Sequence, residues 1–132
     1  LLFYQPELLQ ETLRNPVIRE ELARLGYPEE LSAAAALKFL QKRFDEENLP
    51  HEIGFFLGYP PKDVIGYLRK GKRTPVPHGI WQVFGDPAES LRRMRLYSAA
   101  ENLAEKILET CQDIGTCLEK IRNSKPKEVS YV

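Results

Sequence analysis

Gly79-Ile80-Trp81-Gln82-Val83-Phe84-Gly85-Asp86-Pro87 is the stretch on which the fold class turns. Ile80, Trp81, Val83 and Phe84 are β-branched or aromatic, and glycine bounds the run on both sides, which is the pattern of a strand. A strand over 80–84 needs a partner. The apolar run Leu1-Leu2-Phe3-Tyr4-Gln5, stopped by Pro6, reads as a second short strand. The expected fold is therefore α+β: a single, predominantly helical domain over residues 1–122 with a small β-sheet holding residues 1–5 and 80–84. Residues 123–132 read as a flexible tail. The chain opens on an apolar run with no initiator Met, so a native N-terminal segment is expected upstream.

Outward from that stretch the chain reads as helices. Pro6 with Glu7 opens a helix carrying Leu9 and Leu13 on one face, and Asn15-Pro16 breaks it. A second helix turns Ile18, Leu22 and Leu25 inward and stops at Gly26. Pro28, Glu29 and Glu30 open a third, whose Ala33, Leu37, Leu40 and Phe44 form a stripe at helical spacing. Asp63 to Lys70 reads as a short helix. After Asp86, an N-cap with Pro87 at the first helical position, one long helix is expected over 87–121. Its stripe is Tyr97, Ala100, Ala104, Ile107, Cys111, Ile114, Leu118 and Ile121. Such a helix spans about 50 Å, longer than a compact domain is wide, so a bend or break near Gly115 or pairing with a partner chain is expected; the first half packs on this domain, and self-association is the second reading.

Composition fits this picture. The chain has 132 residues, 42% hydrophobic and 29% charged, as a soluble globular domain does. Lys+Arg and Asp+Glu are each 19, so the net charge is zero and binding of nucleic acid by bulk charge is disfavoured. The zero hides a basic middle: residues 62–95 hold 8 basic and 3 acidic side chains. No apolar run approaches the length of about 20 residues that crosses a bilayer, and no signal peptide is visible, so no membrane role and a cytoplasmic location are expected. Cys111 and Cys117 lie six apart. On one continuous helix their side chains point about 240° apart, so two free thiols in a reducing compartment are expected.

Motifs for chemistry are incomplete. Gly66-Tyr67-Leu68-Arg69-Lys70-Gly71-Lys72-Arg73 has a P-loop spacing, but Arg73 stands where Ser or Thr must hold Mg²⁺. His51-Glu52-Ile53-Gly54-Phe55 begins as His-Glu-x-x-His and lacks the second His. His51 and His78 are the two histidines, and with Glu52 or a thiol they are weak candidates for a metal site. No nucleophile elbow is present, and no cofactor is indicated. Enzyme activity has no positive support.

Ile53 to Leu68 reads as a helix-turn-helix-like corner, with Gly54 at a close crossing and Gly58 at the turn. Whether 53–58 is helix or strand stays open. Arg69, Lys70, Lys72 and Arg73 follow and suit phosphates. The outward positions Pro61, Lys62, Ile65 and Gly66 include one residue able to bond a base edge, Lys62, so a DNA-binding reading over 53–70 is the alternative and not the first reading.

The block His51-Glu52-Ile53-Gly54-Phe55-Phe56-Leu57-Gly58-Tyr59-Pro60, then Asp63-Val64, Gly66-Tyr67, Lys70-Gly71-Lys72 and Gly79 to Asp86, resembles domain-of-unknown-function family 3793, found mainly in clostridial-type bacteria. The opening Leu2-Phe3-Tyr4-Gln5-Pro6-Glu7 and Leu25-Gly26-Tyr27-Pro28 are similar to it as well. The resemblance covers about residues 1–110. It implies an additional N-terminal segment and no particular activity. It also implies a Cys in relatives where His78 stands, a swap that a metal ligand tolerates.

The first expectation for function is a non-catalytic binding or protein-interaction module. Its surface is the Gly-, Pro- and aromatic-rich segment 51–86, with His51, Glu52, Tyr59, Asp63, Tyr67, Lys70, Lys72, His78 and Trp81 as candidate residues. A protein partner, or self-association through the C-terminal helix, is the partner class this implies.

Overall fold

The fold was taken from a computed structural model of the chain, which describes residues 4–46, 49–70 and 79–124. Seven helices run in order: α1 (Pro6–Arg14), α2 (Pro16–Arg24), α3 (Ala33–Glu46), α4 (Ile53–Phe56), α5 (Pro61–Lys70), α6 (Ala88–Thr110) and α7 (Ile114–Asn123). Among the described residues there is no strand, so the fold is all-helical and the expected α+β class is corrected.

The reason lies in residues 79–87. A β-prone run becomes a strand only when another strand satisfies its backbone. Here a side chain does so. The Phe84 amide donates to Asp63 Oδ1 at 2.8 Å, and the Phe84 carbonyl accepts from Lys62 Nζ at 2.8 Å. The segment is therefore an irregular strap across α5, and no second strand is needed. Of the other expected strand, Leu1 to Phe3 lie outside the described residues. Tyr4 and Gln5 form the lead-in to α1, with Gln5 in extended conformation as its N-cap.

Local signals place the first helices. Proline stands in the first turn of α1 and of α2, and Asn15 caps α2 by accepting from the Val17 amide at 3.0 Å. Gly26, at φ +93°, ends the α2 turn. Ser32, and not Pro28, opens α3: its hydroxyl accepts from the Ala35 amide. This shifts the inward stripe to Ala36 and Leu40, leaving Phe44 exposed. The core gathers Leu9, Leu13, Ile18 and Leu22 with Tyr27, Ala36, Phe55 and Val64, so it sits between α1–α5.

The expected single helix over 87–121 is also corrected. α6 stops at Thr110, Cys111 is extended, and Asp113 starts α7 by accepting from the Thr116 amide at 2.8 Å and its hydroxyl at 2.7 Å. α6 alone, at 23 residues, spans about 35 Å. The break also overturns the expectation of two free thiols. Cys111 and Cys117 no longer share one helix. Their Cα atoms lie 5.7 Å apart, and they are joined as a disulfide. No described helix is long and apolar enough to cross a membrane.

Candidate functional site

Asp63 organises the region where α5, the 79–87 strap and α6 meet. Its carboxylate is buried and accepts four hydrogen bonds: from Lys62 Nζ, the Phe84 amide, Trp81 Nε1 at 2.9 Å and Ser90 Oγ at 2.6 Å. Burial pushes this carboxyl up, but the bonds from Lys62, Phe84, Ser90 and Trp81 together outweigh it and hold the pKa below the usual value. The tie from Trp81 fixes the indole, whose face then meets Tyr59. The two rings stack at 4.1 Å between centroids with 17° between planes. Tyr97 of α6 closes the cluster, 5.7 Å from Trp81 and 6.1 Å from Tyr59.

Tyr97 and Arg93 also fasten α6 to the end of α4. Tyr97 donates to the Leu57 carbonyl at 2.5 Å, and Arg93 donates to the Gly58 carbonyl at 2.9 Å. These carbonyls end a helix, where a cation and donors are favourable. Gly58, at φ +79°, makes the turn, and a Cβ there would come within 2.5 Å of the Tyr97 hydroxyl oxygen. Burial pushes the Tyr59 hydroxyl up, helped by the charge of Glu101. Burial likewise raises Tyr97, against the lowering influence of Arg93.

The three rings are half-buried, each with part of its surface in solvent. Leu57 and Ile80, neighbours of the cluster along the chain, are 39% and 52% exposed. Tyr59, Trp81 and Tyr97 thus form one ring cluster, with Arg93 and Glu101 close enough to influence its tyrosines.

The other candidate residues divide. Tyr59, Asp63 and Trp81 come together as described. His51 is exposed and leans on Tyr67, centroids 4.7 Å apart, making a second ring contact. Lys70 is exposed at the end of α5. Glu52 does not belong to a surface. It is fully buried, where Arg43 of α3 pairs with it and Tyr27 donates to it at 3.2 Å. Burial, then the Glu52 charge, pushes the Tyr27 hydroxyl up. Lys72 and His78 lie outside the described residues.

Sequence reading missed Tyr97, Arg93, Lys62 and Ser90. Tyr97 stood within a helical stripe and was read as packing. Ser90 carried no pattern of its own, and Lys62 was read as a donor for a base edge and not as the partner of Asp63.

Lys62 Nζ lies 2.7 Å from Ser90 Oγ, a pairing that can form a nucleophile and base. Here it does not. Ser90 is fully buried and donates to Asp63, and Lys62 spends its three N–H donors on Asp63, Phe84 and Ser90. No group of three or more His, Cys, Asp or Glu among the described residues could hold a metal ion. A shallow groove of about 280 Å³ lies elsewhere, between α2 and the 28–31 turn, and shares no residue with the aromatic patch. Arg19, on its wall, is tied to the Glu29 carbonyl.

These features define a small all-helical domain with a cluster of three rings where α5, the strap and α6 meet. The chain belongs to the family described as protein of unknown function (DUF3793), whose model matches residues 1–118. No curated protein and no solved structure matches the chain.

Proposed function

We propose that the domain is a non-catalytic, cytoplasmic protein-interaction module whose contact face is centred on Tyr59, Trp81 and Tyr97, with Leu57 and Ile80 at its margin. The observation that carries this reading is the Tyr59–Trp81 stack held in place from behind. Asp63 fixes the indole from the buried side, while part of both rings remains in solvent. Tyr, Trp and Arg are the residues that dominate protein interfaces, and a rigid base lowers the entropy lost on binding.

The nucleic-acid alternative has less support. Of the outward positions on α5, Lys62 is committed to Asp63 and Ser90, Ile65 packs against the core, and Gly66 lies beneath Phe84. That leaves α5 without a row of donors for base edges.

Site-specific photocrosslinking in native cells tests the proposal. A benzophenone side chain at Ile80 is expected to give a protein adduct that the same group at Lys42, on exposed α3, does not. Absence of an adduct at Ile80, or an equal adduct at Lys42, would sink it.

A further inference from the structure

The disulfide at the α6–α7 corner is placed where exchange with other thiols has a mechanical effect. Cys111 is the C-cap of α6 and is partly exposed, whereas Cys117 sits one turn into α7 and is 5% exposed. An incoming thiolate therefore reaches one sulfur far more readily than the other. α7 packs chiefly on α6. Two of its large apolar residues face solvent, Ile114 at 78% exposed and Leu118 at 39%, so little apolar burial anchors it. A ten-residue helix is marginal without tertiary support. The Asp113 cap and the disulfide supply much of what holds it in place.

We infer that Cys111–Cys117 is a redox-active pair that exchanges with small thiols such as glutathione, with Cys111 the attacked sulfur and the docking of α7 the output. A thiolate RS⁻ attacks Cys111 Sγ, forming an RS–S bond. The Cys111–Cys117 bond breaks, and its electron pair leaves on Cys117 Sγ, which takes a proton from water. A second RS⁻ attacks the RS sulfur of the mixed disulfide, forming RSSR and releasing Cys111 as a thiolate. The pair is reduced by two electrons and two thiols become one disulfide. Reduction frees α7 to fray, and RSSR restores the staple by the reverse steps.

Three measurements on the full chain test this. With glutathione and glutathione disulfide as the probe, alkylation mass spectrometry should show zero free thiols in the oxidised protein and two in the reduced. Amide exchange over 114–123 should be about thirtyfold or more faster after reduction, with exchange in α1–α5 unchanged. Glutathione disulfide should label Cys117→Ser at Cys111 at least about tenfold faster than it labels Cys111→Ser at Cys117. Trp81 fluorescence, from the one Trp, confirms that both variants keep their fold. Failure of the pair to oxidise, equal labelling of the two variants, or exchange over 114–123 indifferent to reduction would each overturn the inference.

Discussion

Ser90 Oγ of α6 donates to Asp63 Oδ2 of α5 at 2.6 Å, wholly out of solvent. Through this bond the two helices share one carboxylate with the strap between them. The joint is polar and fully satisfied, so its worth depends on the charge at Asp63.

Replacing Asp63 by Asn should therefore destabilise the domain by about 2–4 kcal/mol, since it weakens bonds from an ammonium, an indole, an amide and a hydroxyl together. Urea unfolding followed by Trp81 emission measures it. A cost under about 0.5 kcal/mol would refute the central role given to this carboxylate.

The same carboxyl predicts an acid response. Its folded pKa lies below the unfolded one. Its contribution is complete well above the unfolded value of about 4 and is lost as pH falls past that value and through the lower, folded one. The stability gap between wild type and Asp63→Asn should thus narrow between about pH 5 and pH 2. A gap that stays constant or widens on acidification would contradict the assignment.

Gly66→Ala should be harmful although it raises helix propensity by about 1 kcal/mol. A Cβ there would come within 2.7 Å of three ring carbons of Phe84, which is itself buried. Displacing that ring costs about 1–3 kcal/mol. A fall in melting temperature, with a red shift of Trp81 emission as the strap lifts, is the expected outcome.

At the buried Glu52, Arg43→Ala should cost about 3–5 kcal/mol by leaving a carboxylate unpaired out of water. The double replacement Arg43→Met with Glu52→Leu should cost much less, because neither charge is then stranded. Calorimetric melts of the two variants decide it: a double variant no better than the single would count against the pair.

Leu57→Ala and Ile80→Ala should each cost less than about 1 kcal/mol, since the two residues are 39% and 52% exposed. If either melts far lower, the residue belongs to the core and not to a contact face.

Helix boundaries were the most legible part of this chain. Pro6, Asn15-Pro16 and Gly26 each mark a real start or stop, as chain-local physics requires, whereas α6 takes Pro87 and not Asp86 as its N-cap, Asp86 accepting from the Ala88 amide just before it. The run 80–84 was misread because its partner is a carboxylate seventeen or more positions away, which no local propensity encodes. The α6–α7 break was written in Asp113 and Thr116, a cap signal that the continuing apolar stripe obscured. The cysteines were read on one continuous helix, and on that footing they could not be paired. In the site, Tyr59, Asp63 and Trp81 were found as members of one segment. Tyr97 was lost to the stripe, and Glu52 was misplaced on the surface because nothing in the spacing tied it to Arg43.

The strap carries a consequence for how another molecule can be recognised. Its Phe84 amide and carbonyl are already consumed by Asp63 and Lys62, and no described residue belongs to a sheet. Among the described residues an incoming peptide therefore finds no sheet edge to extend. For the proposed contact face this leaves side chains, the stacked Tyr59 and Trp81 rings first, as the groups that would recognise a partner.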